Sequence, residues 1–188
     1  PLEQDEDDLI QIAPFVISST TDSAKLASAE ILQAKLLEVL ANPATFDFEF
    51  ANLRMTTVAI ASHPKAKVRL FTFNIILKSG VFQQYGVIQQ KTKTGISLFS
   101  LNDTAQNLPK DYLETKIEHP EWIGGLYYQL IPHKIKRKQY YVVMAFDGHN
   151  LNSNRSIIDV LSFENGLPVW GAPIFRDGIE DPSEEMRV

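Results

Sequence analysis

The chain has 188 residues, of which 44% are hydrophobic and 22% charged, with a formal net charge of -5 and no cysteine. These are ordinary globular values, and at roughly 150 residues per domain the length favours one domain over two. The lack of cysteine excludes disulfides and Cys-ligated zinc, and the acidic balance argues against nucleic acid as a partner. No apolar run approaches the ~20 residues of a membrane-spanning helix, so we expect a protein that is not transmembrane.

The first twenty residues open with a run of acids, at Glu3, Asp5, Glu6, Asp7 and Asp8. A segment of this charge has little apolar surface to bury, so we predict that residues 1–20 form a solvated acidic tether. The chain begins at Pro1 and not at Met. An acidic N-terminus of this kind suits an exported protein, and we expect a periplasmic, lipid-tethered or secreted location.

Residues 22–41 have the pattern of one amphipathic helix. Their apolar side chains recur at three- and four-residue intervals, at Leu26, Ala29, Leu32, Leu36, Val39 and Leu40. This is the spacing of one helix face, which we expect to cover a sheet. We predict an N-cap at Asp22 or Ser23, and the helix ends at Asn42-Pro43 because proline lacks an N–H.

From Phe46 onward apolar and polar residues alternate, which is typical of β-strands. We predict an extended segment over 46–50 and strands over 58–62, 67–77, 82–90, 95–101, 123–132, 139–146, 156–163 and 169–175. Most connections are short and permit only antiparallel neighbours, since a parallel crossover needs about a dozen residues or more.

The predicted fold class is therefore mainly β (α+β): an antiparallel meander sheet, or a partly closed barrel or sandwich, with one N-terminal amphipathic helix. One β-rich domain spans 21–175. Residues 176–188 are acidic and unpatterned. We expect them to form a tail that is either disordered or continued in the native chain.

Two continuous runs stand out in the second half, GGLYYQLIPHKIKRKQYYVVMAFDGHN over 124–150 and SNRSIIDVLSFENGLPVWGAPIF over 153–175. Together with Trp122 and the upstream pieces ASHPKAKVRLFTFN and FQQYGVIQQ, they resemble an uncharacterised family of exported β-rich proteins from Bacteroidetes-type bacteria. The resemblance implies export and a similar fold. It supplies no activity, so no catalytic residue is carried over.

The most site-like segment is the polar loop 147–155. Its oxygen-bearing side chains could meet a Ca²⁺ ion, but Asp147 is its only carboxylate and the spacing differs from that of an EF-hand. Asn, Asp and Gly are also the residues that build tight turns. We favour the structural turn over the ion site.

The turn 133–138 is basic and is flanked by tyrosines, at Tyr127, Tyr128, Tyr140 and Tyr141. Binding of a polyanion or of an anionic lipid surface would use such a combination. A hairpin centred near Lys136 explains the same residues, with Tyr128 facing Val143 and Tyr141 facing Leu130 as ordinary cross-strand pairs. We favour the solvated hairpin turn.

No nucleotide-binding, metalloprotease or serine-hydrolase motif occurs. Metal-ligand spacing is also missing among the four histidines, His63, His119, His133 and His149. We therefore predict no cofactor and no metal, and we name no catalytic residue.

Our leading hypothesis is a non-catalytic exported accessory or ligand-binding domain that binds a small molecule or a protein. The candidate contact surface consists of Trp122, Tyr128, Tyr141, Asp147, Asn150, Asn152 and Arg155. One alternative is a hydrolase, for example a carbohydrate-active one, with carboxylates gathered from distant positions; the acids nearest the aromatic hairpin are Glu121, Asp147 and Asp159. The other alternative is a structural module of a larger assembly.

Overall fold

The computed structural model describes residues 1–108, 111–112, 115–150, 153–176 and 185–186, with the backbone alone at 149–150, 153–154, 175–176 and 185–186. Three α-helices come first in the chain: α1 (Leu2–Ile12), α2 (Phe15–Ser18) and α3 (Asp22–Leu40). Short 3₁₀ helices follow at Pro43–Asp47, Leu53–Met55 and Ala105–Asn107.

The strands form two open antiparallel sheets. The first sheet has the order β1-β2-β3-β4, with β1 (Ala59–Ala61), β2 (Val68–Ile76), β3 (Phe82–Lys91) and β4 (Ile96–Asn102). The second has the order β5-β9-β8-β7-β6, with β5 (Ile117–Glu118), β6 (Leu126–Ile135), β7 (Lys138–Asn150), β8 (Ser153–Glu164) and β9 (Leu167–Trp170). A separate short pair joins β10 (Phe175–Arg176) to β11 (Glu185–Met186).

The prediction of a mainly β, antiparallel fold with an N-terminal helix is confirmed, and the helix predicted over 22–41 is α3. Neither sheet closes into a barrel within the described residues. No helix in this part of the chain has both the length and the apolar character to cross a membrane. Of the predicted tail 176–188, only Arg176 and residues 185–186 are described.

The first sheet lies between the helices and the second sheet. Phe71 and Phe73 of β2 pack into one core with α1, α2 and α3, whereas Val68 and Leu70 pack into a second core with the other sheet. Because successive side chains of a strand point to opposite faces, this alternation places apolar groups on both faces of β2. A strand covered on both faces is expected to be largely apolar, and six of the nine residues of β2 are, with Arg69, Thr72 and Asn74 as the exceptions.

The prediction of a solvated tether over 1–20 is wrong, because this segment is helical and packed. Leu9 of α1 is fully buried, and the buried carboxylate of Glu6 accepts hydrogen bonds from the backbone N–H groups of Asn52 and Leu53, both at 2.9 Å. Of the other acids, Glu3 and Asp7 are exposed, and Asp5 and Asp8 are half-buried. Glu6 also fixes the segment around residue 52 against α1.

Two local predictions before the first sheet need correction. The N-cap of α3 is Thr21, whose side chain accepts a hydrogen bond from the N–H of Ala24 at 3.1 Å. The segment predicted as extended from Phe46 begins as a 3₁₀ helix, because Asn42 accepts a bond from the N–H of Ala44 and starts a new turn. After Asp47, Phe48 is extended, whereas Phe50 has left-handed backbone with φ of 52°.

The β6–β7 hairpin is confirmed, but its predicted register is wrong. The turn consists of Lys136 and Arg137 alone, so Leu130 lies opposite Val143 and Tyr141 lies opposite Pro132. A bulge between residues 127 and 129 leaves Tyr128 without a directly opposed residue. The left-handed backbone of Lys136, with φ of 53°, allows the tight two-residue turn that sets this register.

Candidate functional site

The aromatic residues of the predicted contact surface belong mostly to the core between the sheets. Trp122 is fully buried and its indole N–H donates to the hydroxyl oxygen of Tyr127 at 3.1 Å. Tyr141 is buried in the same core. Only Tyr128, on the β6 bulge, is exposed. The structure therefore does not bring these rings together on one accessible surface.

The predicted loop 147–155 is largely strand, which corrects the sequence interpretation. Asp147 on β7 lies opposite Arg155 on β8, and the guanidinium donates from Nε at 3.0 Å, and also from Nη2, to the carboxylate Oδ2. Gln84 donates to Oδ1 of the same carboxylate at 3.1 Å. Because the buried carboxylate of Asp147 has a hydrogen-bonding partner in Arg155, the polar residues of this segment are compatible with paired strands. The side chain of Asn150 and all of Asn152 lie outside the described residues.

A second acid, Asp103, interacts electrostatically with this ion pair. Burial raises the pKa of the Asp103 carboxyl, and the charge of Asp147 raises it further. The Asp103 Oδ1 accepts the N–H of Ala105 at 2.9 Å, and the backbone of Gly124 packs on the other oxygen so closely that a Cβ there would meet Oδ2 at 2.9 Å. Asp103 and Asp147 therefore belong to a packed polar cluster. Of the other acids considered from the sequence, Glu121 is exposed, and Asp159 is buried and accepts the N–H of Val160 at 2.7 Å.

A concave pocket lies between the segment 46–54 and the segment 62–69. Its volume is about 440 Å³, and its lining residues are Phe46, Asp47, Phe48, Glu49, Ala51, Arg54, Ser62, His63, Pro64, Ala66 and Arg69. Small-molecule sites typically occupy roughly 300–1,000 Å³, so the pocket has the size of a ligand site. We call it the arginine pocket.

Arg69 is the most unusual residue of the arginine pocket. It is 5% exposed, and its Nη1 donates to the backbone carbonyls of residues 45, 46 and 48 at 2.8, 2.8 and 2.9 Å. Its guanidinium lies over the rings of Phe50 and Phe71, 5.4 and 4.9 Å from their centroids. Among the described residues no carboxylate forms an ion pair with Arg69, and its buried Nε has no hydrogen-bond partner.

Arg54 brings a second guanidinium to the same pocket. Its nitrogens donate to the carbonyl of Glu49 at 3.2 Å, the carbonyl of Ile60 at 2.7 Å and the hydroxyl of Ser62 at 3.0 Å. All of these acceptors are neutral oxygens. Burial first, and then the nearby charge of Arg54, lower the pKa of Arg69 to about 10, and the charge of Asp47 opposes them in part. Two cations are therefore held close together without a carboxylate bonded between them.

The other walls of the arginine pocket are aromatic, acidic or polar. Phe46 and Phe48 are half-buried, and the exposed acids are Asp47 and Glu49. Asp47 forms an ion pair with Lys91 at 3.1 Å. The Nδ1 of His63 accepts the N–H of Lys65 at 3.1 Å, which leaves its other ring nitrogen as the donor of the neutral ring.

Arg54 and Arg69 were not among the residues that we identified from the sequence. One signal was present: Arg69 stands inside the apolar run of β2, where a charged side chain is uncommon because burial of a charge is costly. The pocket itself could not be read from the sequence, since its walls come from two segments whose contact depends on the packing of α1 and β2.

Among the described residues, no cluster of three or more acidic or histidine side chains is arranged to hold a metal ion. Comparisons of the chain with family models, with curated proteins and with solved structures found no match.

Proposed function

We propose that this protein is a non-catalytic ligand-binding domain whose arginine pocket binds a small anionic ligand. The observation that carries the proposal is the pair of guanidinium groups, of Arg54 and Arg69, on one cavity of about 440 Å³. Both are held by neutral oxygens. Among the described residues no carboxylate is bonded to either guanidinium, and Asp47 acts on Arg69 only through its nearby charge.

The energetic case rests on the burial of Arg69. A guanidinium removed from water loses hydration, and carbonyl oxygens and ring faces restore only part of that interaction. Asp47 opposes the charge of Arg69 only from a distance, and an anion in the pocket would place an opposite charge in contact with the guanidinium, where water screens it weakly. The hydrogen bonds of both arginines also fix their orientations before a ligand arrives, which lowers the entropic cost of binding.

Binding alone is proposed, because the pocket contains no arrangement typical of catalysis. Its only imidazole, that of His63, bonds to the backbone of its own turn, and its acids lie exposed at the rim. Of the acids considered for a hydrolase, Asp147 is bonded to Arg155 and Asp159 is buried, and neither lines the pocket.

The test is the binding of simple anions to the purified chain, measured by calorimetry and by thermal unfolding. Acetate, benzoate, phosphate and sulfate form the panel, because a ligand of the native state must raise its melting temperature. Arg54→Gln should weaken the binding of any anion that the native protein takes up. The matched control is Arg137→Gln, which removes an exposed arginine from the hairpin turn. A melting temperature unchanged by every anion, or equal losses in both variants, would refute the proposal.

Export is a second, separate part of the proposal. It is supported by the resemblance of residues 124–150 and 153–175 to exported proteins and by nothing in the pocket. Fractionation of the native host, with an antibody against this chain, should find it in the envelope or the medium. Recovery in the cytoplasmic fraction alone would contradict export and would leave the binding proposal intact.

A further inference from the structure

We infer that the ligand of the arginine pocket is a small zwitterion, an amino acid or a short peptide with a free carboxylate, a free ammonium group and an apolar side chain. This inference rests on the proposed function and adds the chemical class of the ligand. Its basis is the distribution of charge in the pocket: the buried cation of Arg69 at the base, and the exposed cation of Arg54 and the exposed acids Asp47 and Glu49 at the rim.

The base of the pocket suits a carboxylate. The planar guanidinium of arginine matches the two oxygens of a carboxylate in a fork-like geometry. Nη1 of Arg69 is used by backbone carbonyls, and no bond from its Nη2 is seen among the described residues. The exposed Arg54 lines the same pocket and lies near enough to lower the pKa of Arg69, so one carboxylate would interact with both charges.

The rim suits a cation. Glu49 is exposed on the pocket wall, and no ion pair of its carboxylate occurs among the described residues. Asp47 is beside it, and its ion pair with Lys91 is solvent-exposed, with 78% of the aspartate side chain accessible. An ammonium group at this rim would compensate Glu49, as the ligand carboxylate compensates the arginines.

The same acids disfavour a multiply charged anion. A phosphate or sulfate at the base would lie near the like charges of Asp47 and Glu49, and it has no group to satisfy them. Phe46 and Phe48 also present apolar surface to the cavity, which a simple oxyanion would leave exposed. A zwitterion with an aromatic or aliphatic side chain would offer a carboxylate to the arginines, an ammonium group to the acids and apolar surface to Phe46 and Phe48.

The decisive experiment compares phenylalanine with N-acetylphenylalanine, phenylalaninamide and inorganic phosphate, and repeats the series with glycyl-phenylalanine and its acetylated and amidated forms. Calorimetry on the full chain measures each affinity. Removal of the ligand carboxylate should weaken binding roughly 10- to 100-fold, since it deletes charge-assisted hydrogen bonds. Removal of the ammonium charge should weaken it about two- to fivefold, because the rim is solvated.

Variant Glu49→Gln completes the design, with Glu3→Gln on the exposed face of α1 as its matched control. Glu49→Gln should abolish the preference for the free amine over the acetylated form, and Glu3→Gln should preserve it. Equal binding of both forms by the native protein would overturn the inference, and so would tighter binding of phosphate than of any amino acid; the anion pocket would survive either result. If no compound and no simple anion binds, the inference and the proposed function fail together.

Discussion

Two arginine environments, those of Arg155 and Arg69, differ in what neutralises the charge. The guanidinium of Arg155 on β8 donates to the carboxylate of Asp147 on β7. Gln84, on the first sheet, donates a further hydrogen bond to the same carboxylate. The guanidinium of Arg69 is bonded to backbone carbonyls and covered by two phenyl rings. The first is a complete ion pair, and the second is a cation that is still open to an anion.

The difference teaches that a polar cluster in the interior is not evidence of a binding site by itself. The Asp147–Arg155 pair holds neighbouring strands together, and a ligand there would have to replace an existing partner at the full cost of breaking it. A ligand at Arg69 would displace no carboxylate. The more informative residue is therefore the one whose charge the described structure leaves without an opposite charge in contact.

The largest effect on stability is expected from Arg69→Met. The carbonyls of residues 45, 46 and 48 lose their common donor. The loss should lower the free energy of unfolding by about 3 kcal/mol, even though a costly desolvated charge is removed at the same time. Urea denaturation measures it. A midpoint within error of the native one would show that Arg69 does not hold the segment 45–48 in place.

A smaller and asymmetric effect is expected at the ion pair. The side chain of Asp147 is 6% exposed and that of Arg155 is 43% exposed. Arg155→Gln should cost about 2 kcal/mol because it removes the guanidinium from a buried carboxylate, whereas Asp147→Asn should cost about 1 kcal/mol because the remaining guanidinium can reach water. The same denaturation experiment gives both values. The reverse order would contradict the account of which partner is buried.

The next effect concerns pH and the carboxyl of Asp103, whose folded-state pKa is raised from 3.8, chiefly by burial. A raised pKa in an acid means that the folded state binds the proton more tightly than the unfolded state, so ionisation of Asp103 destabilises the fold at neutral pH. We expect Asp103→Asn to be more stable than the native protein at pH 7. The gain should shrink as the pH falls through the raised pKa and should vanish below 3.8.

The control for Asp103→Asn is Asp7→Asn on the exposed face of α1. It removes an acid of the same kind without changing a buried site. Unfolding curves across the acid range would contradict the assignment if both variants behaved alike, or if Asp103→Asn lost stability at neutral pH.

The smallest effect is expected at Glu164, a partly exposed acid between two lysines. Lys138 at 2.7 Å, and then Lys116 at 2.9 Å, lower the pKa of Glu164 from 4.5 to about 2. The stabilisation from this depressed pKa is present above pH 4.5 and disappears as the pH falls toward 2. Glu164→Gln should remove it, with a slight loss at neutral pH that added salt suppresses. A loss that persisted in high salt would indicate a buried interaction instead.

The sequence predicted the elements whose pattern is local. The three- and four-residue spacing from Leu26 to Leu40 located α3, and alternation located most strands to within a few residues. It failed for α1, because a count of acids does not reveal that Glu6 and Leu9 occupy the buried face of a helix. It also failed for the β6–β7 register, which depends on a left-handed Lys136 and on the bulge at Tyr128.

The candidate site was harder to predict because it depends on contacts between distant residues. Trp122 and Tyr141 are aromatic residues beside polar loops, a pattern shared by binding surfaces and by cores, and only packing distinguishes the two. Asp147 and Arg155 looked like a ligand-binding loop, but their strand pairing makes them partners of each other. Arg69 contacts carbonyls more than twenty residues earlier, a relation that no local motif records.

The central claim is that an anion enters the arginine pocket and interacts with Arg54 and Arg69. The most direct test is an NMR titration that follows the arginine side-chain N–H resonances while benzoate is added to the full chain. The account predicts saturable shifts at Arg54 and Arg69, with those of Arg137 and Arg155 unchanged. Shifts that are confined to Arg137, or that grow linearly and equally at all arginines, would contradict it.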